Sequence, residues 1–278
     1  MRLSISNIAW DSEEDDLVIP LLKKMGITEI EIAPTKFWKQ PLQISDSQID
    51  NLRRDWLNKG FSFVAMQSLL FGQNHLNMFS SDDSRQEMVH YLSGIISLAG
   101  KLGVNSLVFG SPKNRKAGSL SHKKQMDIAI PFFEQLGTLA GQAGVILCIE
   151  ANPVQYGCDF ITNTDEAITL VREVGNPGFR LHLDAGAMAL NNEDIYSVIE
   201  RSMPYLQHFH VSEPYLNLVG PGITKHKQMA QALKALGYDK WVSIEMKNNL
   251  LSNNTESVET AVTYALETYI QQGANLLT

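Results

Sequence analysis

The sequence predicts a single (β/α)8 TIM barrel spanning residues 1–278, and three observations carry that expectation. Eight short β-rich runs alternate with amphipathic helical stretches. Glycines recur a few residues before successive runs, where a helix stop needs a residue tolerant of positive φ. The turn after the first run reads Asn7-Ile8-Ala9-Trp10, without the glycine-rich phosphate loop that an open doubly wound sheet usually places there.

The first run, Leu3–Ile8, is followed by Leu17, Leu21 and Leu22 at helical spacing, with Ser12-Glu13-Glu14 supplying a cap hydroxyl and first-turn acids. The next runs are Glu29–Ala33, Ser62–Met66 and Ser106–Phe109, with Met88, Leu92, Ile95, Ile96 and Leu98 marking the helix before the fourth. Ile130, Phe133, Leu136 and Leu139 lead into Ile146–Glu150, and Thr164-Asp165-Glu166 opens the helix before Arg180–Asp184. Leu206–His210 and Trp241–Glu245 complete the set. Gly26, Gly60, Gly103, Gly144 and Gly237 are the recurring helix stops, and units of roughly 35 residues match a strand, loop, helix and return turn. The longest strand-to-helix loops, Gln67–Asp83 and Gly110–Leu120, lie on the side of a barrel that usually shapes the substrate pocket.

Composition narrows the function classes. A chain 44% hydrophobic and 19% charged has the apolar material for a large core, and no linker-like stretch divides it. The net charge of −7 leaves no global positive field, which argues against nucleic acid as the main partner. Cys148 and Cys158 form neither a disulfide framework nor a thiolate zinc site. No run approaches 18 apolar residues and no secretory leader is evident, so the expectation is a cytoplasmic protein without membrane attachment.

In such a barrel the chemistry sits at the C-terminal ends of the strands. Each of the last four runs ends in a residue able to ligate a metal: Glu150, Asp184, His210 and Glu245. Any one alone would more often be a satisfied polar strand end; their recurrence at equivalent positions is what points to a site. Ionised carboxylates at an apolar barrel mouth are costly, and one divalent cation compensates several at once. Three carboxylates and an imidazole suit Mn²⁺, Mg²⁺, Co²⁺ or Zn²⁺.

These residues, in the segments Glu150-Ala-Asn-Pro, Leu183-Asp184-Ala-Gly-Ala-Met188, His208-Phe-His210-Val-Ser-Glu213, Gly220-Pro-Gly222 and Leu236 to Glu245, resemble the xylose isomerase-like TIM barrel superfamily. The nearest type within it is the sugar-phosphate isomerase/epimerase group, with ketose 3-epimerases and inosose dehydratases. The resemblance spans the whole chain and is strongest from residue 145 to 247. It implies one metal held by Glu150, Asp184, His210 and Glu245, with Glu150 and Glu245 also serving as acid and base of an isomerase or epimerase, a sugar, sugar phosphate or related polyol as substrate, and a homodimer. It also places Glu213, in the His-x-Ser-Glu segment, among substrate-binding residues. The chain departs from the epimerase pattern at Ala187, where that pattern has a histidine, and in Pro214–Leu218, which holds no arginine. A different substrate or reaction at the same metal is therefore open.

Further candidates for substrate binding are Glu31, by strand parity either a polar rim or a hydroxyl-binding group, and the amides of Gln67 and Asn152. His182 and His208 share the faces of Asp184 and His210, either touching substrate or filling the layer below. Lys113 and Arg115 could bind a phosphate or carboxylate, or belong to a solvated loop. Trp10, Phe37, Trp38 and Phe71 are candidate walls for a sugar ring, and Cys148 reads as a buried thiol. Two other function classes are a non-enzymatic sugar-binding barrel and an endonuclease IV-like phosphodiesterase; the second needs more metal ligands than the sequence offers and is opposed by the acidic charge.

Overall fold

The computed structural model describes residues 1–271, so residues 272–278 of the single domain expected from sequence lie outside the described residues. Eight parallel strands, β1 (Arg2–Ser6), β2 (Glu29–Ile32), β3 (Ser62–Met66), β4 (Ser106–Phe109), β5 (Ile146–Glu150), β6 (Phe179–Asp184), β7 (Leu206–Ser212) and β8 (Trp241–Glu245), close into a barrel in chain order. The helices of the described residues are α1 (Asp15–Lys24), α2 (Asp46–Asn58), α3 (Asp82–Leu102), α4 (His122–Gln142), α5 (Thr164–Val174), α6 (Ala185–Leu190), α7 (Ile195–Ser202), α8 (His226–Ala235) and α9 (Asn254–Ala265). The (β/α)8 expectation is met, with closure through the Leu3–Val242 and Ile5–Ile244 pairs of β1 and β8.

Strand bounds follow the alternation closely, and the exceptions have local causes. β1 stops at Ser6 because the Asn7 side chain accepts a hydrogen bond from the Ala33 amide at 2.8 Å, turning the chain one strand away. β7 runs past His210 to Ser212, paired with Glu245 of β8. Two caps also differ from expectation. Asn163, not Thr164, caps α5 by accepting from the Glu166 amide, which leaves the Thr164 hydroxyl to bond Glu193. Near the first helix the cap is Asp11, in a reciprocal pairing with Glu14. All five predicted glycine stops carry φ between +73° and +88°.

Between barrel and helices lies the apolar core. Phe133 of α4 stacks on Phe179 of β6 at 4.6 Å and 19°, and meets Phe109 and Phe132 edge-on at 5.3 and 5.1 Å. Inside the barrel the filling is polar: Ser4, Ser6, Glu31, His182, His208 and Ser243 are all buried there. Among the described residues no helix is long and apolar enough to cross a membrane. Phe133→Ala removes a fully buried ring shared by α4 and two strands, and should cost about 3–5 kcal/mol in equilibrium denaturation; a loss below about 1 kcal/mol would contradict this account of the core.

Candidate metal centre

Parallel pairing sets the site. Glu150 pairs with His182, Asp184 with His210 and Ser212 with Glu245, so the stagger of β5 to β8 brings three strand ends and His210, two residues short of the end of β7, to one point. Glu150, Asp184, His210 and Glu245 each offer a ligand atom there, all within 4.8 Å of one another. His210 Nδ1 faces Glu245 Oε2 at 3.1 Å, and Glu150 Oε1 and Asp184 Oδ2 each at 3.9 Å. That nitrogen is buried and makes no hydrogen bond. A buried, unbonded nitrogen ringed by three carboxylates is the donor set that a divalent cation satisfies.

Three of the four side chains are held by groups outside the set. The other His210 nitrogen, Nε2, lies 3.0 and 3.1 Å from the two oxygens of Glu31, fixing which nitrogen is turned to the cluster. Asp184 caps α6 through the Ala187 amide and accepts from the Ser212 hydroxyl. Ala187 thus serves the site through its backbone. Glu150 Oε2 accepts from Asn152 Nδ2 at 3.0 Å, and its main-chain oxygen from Arg115 Nη2 at 2.7 Å. A Cβ at Gly110 would stand 2.2 Å from Glu150 Oε2, so only glycine leaves that carboxylate its place.

Burial, then repulsion from Asp184 and Glu245, pushes the Glu150 carboxyl up to about 8. Burial and Glu245 raise Asp184 to about 6. Burial opposes charge on Glu31, but His210 and His208 outweigh it and hold that carboxyl well below its usual range. Burial also disfavours charged His210, yet Glu245 and Glu31 outweigh it and keep the imidazolium favoured well above its ordinary range. His182, buried beside the other two imidazoles, is driven well below and stays neutral.

The cluster opens into a cavity of about 710 Å³ lined also by Gln67, Lys113, Asn152 and Glu213. Other sequence candidates are placed differently. Glu31 is fully buried and turned to His208 and His210, which corrects its reading as a rim or hydroxyl-binding group: β2 lies across the barrel from β7, and two imidazoles claim its oxygens. His182 and His208 fill the layer beneath the cluster. Arg115 is fully buried and directed at the Glu150 carbonyl, not at the cavity, so the anion-binding expectation fails for it. Glu213 lines the wall, but its carboxylate accepts from Thr224 at 3.0 Å and meets His226 Nε2 at 3.2 Å. Of the four aromatics, Phe71 alone lines the cavity; Trp10 is buried with its indole nitrogen on Asp15, and Phe37 and Trp38 belong to a cluster with Trp56 and Phe63. Burial drives the Cys148 thiol upward, as suits an inert core group.

Sequence reasoning missed Tyr156 and Tyr215, which line the mouth with rings 5.4 Å apart. Tyr215 and Leu216 occupy successive left-handed conformations, φ +63° and +56°, each costing roughly 1–2 kcal/mol in a non-glycine residue. Bonds from the Tyr215 amide to the Tyr156 hydroxyl (3.0 Å) and from the Lys247 amide to the Leu216 carbonyl (3.0 Å) hold them there.

The raised carboxyls fix a sign. Unfolded, Glu150 would ionise near 4.5; folded, it keeps its proton to about 8, so the metal-free protein should lose stability as pH rises through that window. The raised His210 adds in the same direction, because its proton stabilises the fold until it is lost. Above about pH 6.5 His182 is neutral folded or unfolded, so thermal unfolding of metal-stripped protein from pH 6.5 to 9 should show this decline and its reversal by Mn²⁺, increasingly so toward pH 9. A flat pH profile with no effect of cation would contradict the electrostatic reading.

A model of the xylose isomerase-like TIM barrel family matches residues 19–272. The chain is 21% identical over 259 residues to a D-psicose 3-epimerase of Agrobacterium fabrum, covering 88% of this chain and 84% of that one. The structure of D-psicose 3-epimerase with D-tagatose from Clostridium cellulolyticum H10 is similar in fold, with a TM-score of 0.81 at 17% identity over 97% of this chain and 99% of that one. The IolI protein with a bound zinc atom gives 0.75 at 17% identity, over 97% and 98%.

Proposed function

This chain belongs to the xylose isomerase-like TIM barrel family, and from that premise we propose that it is a divalent-metal-dependent isomerase or epimerase of an uncharged sugar or polyol. The observation that carries the reading is His210 Nδ1, buried without a hydrogen bond and facing the carboxylates of Glu150, Asp184 and Glu245. Those four residues would hold the cation, with Mn²⁺, Mg²⁺, Co²⁺ and Zn²⁺ all suited to the donor set. When bound, it supplies positive charge against the negative charge that grows on a substrate carbonyl oxygen as the neighbouring C–H is broken.

The remaining work belongs to the chain. Glu150 and Glu245 stand on β5 and β8, with β6 and β7 between them, so they approach a substrate in the cavity from different directions. One carboxylate takes the proton from the carbon beside the carbonyl, and the C–H electron pair passes to the carbonyl oxygen as an enediolate. The other returns a proton to that carbon from the opposite face, inverting it as the electron pair comes back from the oxygen and the carbonyl re-forms; for isomerisation the proton goes instead to the former carbonyl carbon, while the hydroxyl proton of the first carbon passes to the former carbonyl oxygen, so that the carbonyl moves by one carbon. Asn152 orients Glu150, Ser212 orients Asp184, and Glu31 meets His210 Nε2, which turns Nδ1 toward the centre. Gln67, whose amide already bonds Ser6 and Ser68 on the cavity wall, is placed to meet a sugar hydroxyl.

Phosphorylated substrates fit less well. Lys113 is the single cation lining the cavity among the described residues, against four carboxylates, and Arg115 faces away. The reading is tested by incubating protein and Mn²⁺ with ketoses in deuterated water. Deuterium should enter at the carbon beside the carbonyl, and Glu150→Gln and Glu245→Gln should each reduce the rate at least about 100-fold, the scale of general acid–base catalysis. Wild-type exchange that persists undiminished in both variants would overturn the assignment.

A further inference from the structure

Besides the metal cluster, the cavity carries an apolar lining that inversion at a sugar carbon does not require. Its volume, about 710 Å³, lies high in the roughly 300–1,000 Å³ range that buries drug-sized ligands, and exceeds what one six-carbon ketose occupies. Its lining includes Leu70, Phe71, Pro112, Tyr156, Tyr215 and Leu216. Phe71 is 67% exposed and Tyr215 55% exposed, although both line this concave surface. Large aromatic side chains left open inside a cavity are unfinished burial, and a flat apolar ligand group completes it.

Left-handed backbone conformations gather around the same cavity. Of the seven non-glycine residues with positive φ among those described, Ser68, Ser111, Tyr215 and Leu216 line this cavity. Such conformations persist only where surrounding structure enforces them, and they gather at ligand sites. Here the enforcement is specific: the Tyr156 hydroxyl accepts from the Tyr215 amide, while Lys247 holds the Leu216 carbonyl. Glu213, anchored on Thr224 and His226 and close against Gly222, fixes the base of the same loop.

We infer that this apolar lining is a second subsite, for an aromatic substituent, so that the substrate is an uncharged keto-sugar carrying a flat aglycone, with the sugar toward the carboxylates and the aglycone against Phe71 and Tyr215. The inference rests on the reading that the cluster processes a keto-sugar, but concerns a different part of the cavity. Exposed rings in a continuous cavity with the cluster favour a ligand group over a second copy of the chain, which would need a protruding element to reach them.

The test compares phenyl and methyl 3-keto-β-D-glucopyranoside, which share the reacting sugar and differ only in the aglycone, by calorimetry on Mn²⁺-loaded protein. The phenyl compound should bind about tenfold or more tighter, the scale of one or two aromatic contacts. Phe71→Ala and Tyr215→Ala should each shrink that ratio toward one. Equal affinities in the wild type, or no binding of either glycoside, would overturn the subsite. A tighter phenyl compound whose advantage survives both substitutions would overturn this placement, and a change from dimer to monomer in Tyr215→Ala by sedimentation would make the wall an interface instead. Deuterium exchange into free ketoses reports separately on the metal cluster: exchange without aryl preference removes only the subsite, and aryl preference without any exchange removes only the proposed reaction.

Discussion

Three carboxylates brought together around one imidazole nitrogen repel each other, and a barrel mouth with little water raises the cost of that repulsion. Burial and mutual repulsion raise the Glu150 and Asp184 carboxyls above the usual carboxylate range, while Glu245 and Glu31 favour the charged form of His210. Much of the nearby structure answers this constraint. Asn152, Ser212 and the Ala187 amide each spend a donor on a ligand carboxylate. Glu31, 179 residues before His210, occupies the remaining imidazole nitrogen. Gly110 supplies the space that Glu150 needs.

The same constraint explains the polar interior. Most barrels of this kind are filled by branched apolar layers, whereas here three imidazoles, those of His182 and His208 beneath the cluster and that of His210 within it, pack within 4.1 to 5.5 Å of one another. Two of them share Glu31, and the third, His182, stays neutral with neither nitrogen hydrogen-bonded. Buried polar groups cost free energy in isolation. Gathered under the ligands they stiffen His210 from below, which an apolar layer could not do, and the stacked phenylalanines between α4 and the strands offset that cost elsewhere.

What sequence made legible follows from which interactions are periodic. The strands, the glycine stops and the four strand-end ligands all lie on a repeat, so parity and position identify them. Glu31 has the right parity, but its partners lie on β7 across the barrel, and nothing local in Glu29–Ile32 says so. Arg115 sits in a basic run resembling a solvated loop; its burial depends on how the turn after β4 folds against β5. Tyr156 and Tyr215 were missed because their placement comes from a hydrogen bond between two loops and a left-handed backbone, and neither leaves a periodic trace. The aromatics that sequence proposed were judged by nearness to loops, which does not tell Phe71 at the mouth from Phe37 in a helix-packed cluster.

The central claim is that four strand ends form one cation site, and its most direct measurement is a calorimetric titration of metal-stripped protein with Mn²⁺, Co²⁺ and Zn²⁺. The account predicts one tight site per chain, lost in both Asp184→Ala and His210→Ala while the circular dichroism of the barrel persists. Absence of binding with all three cations, or a site that survives both substitutions, would contradict it.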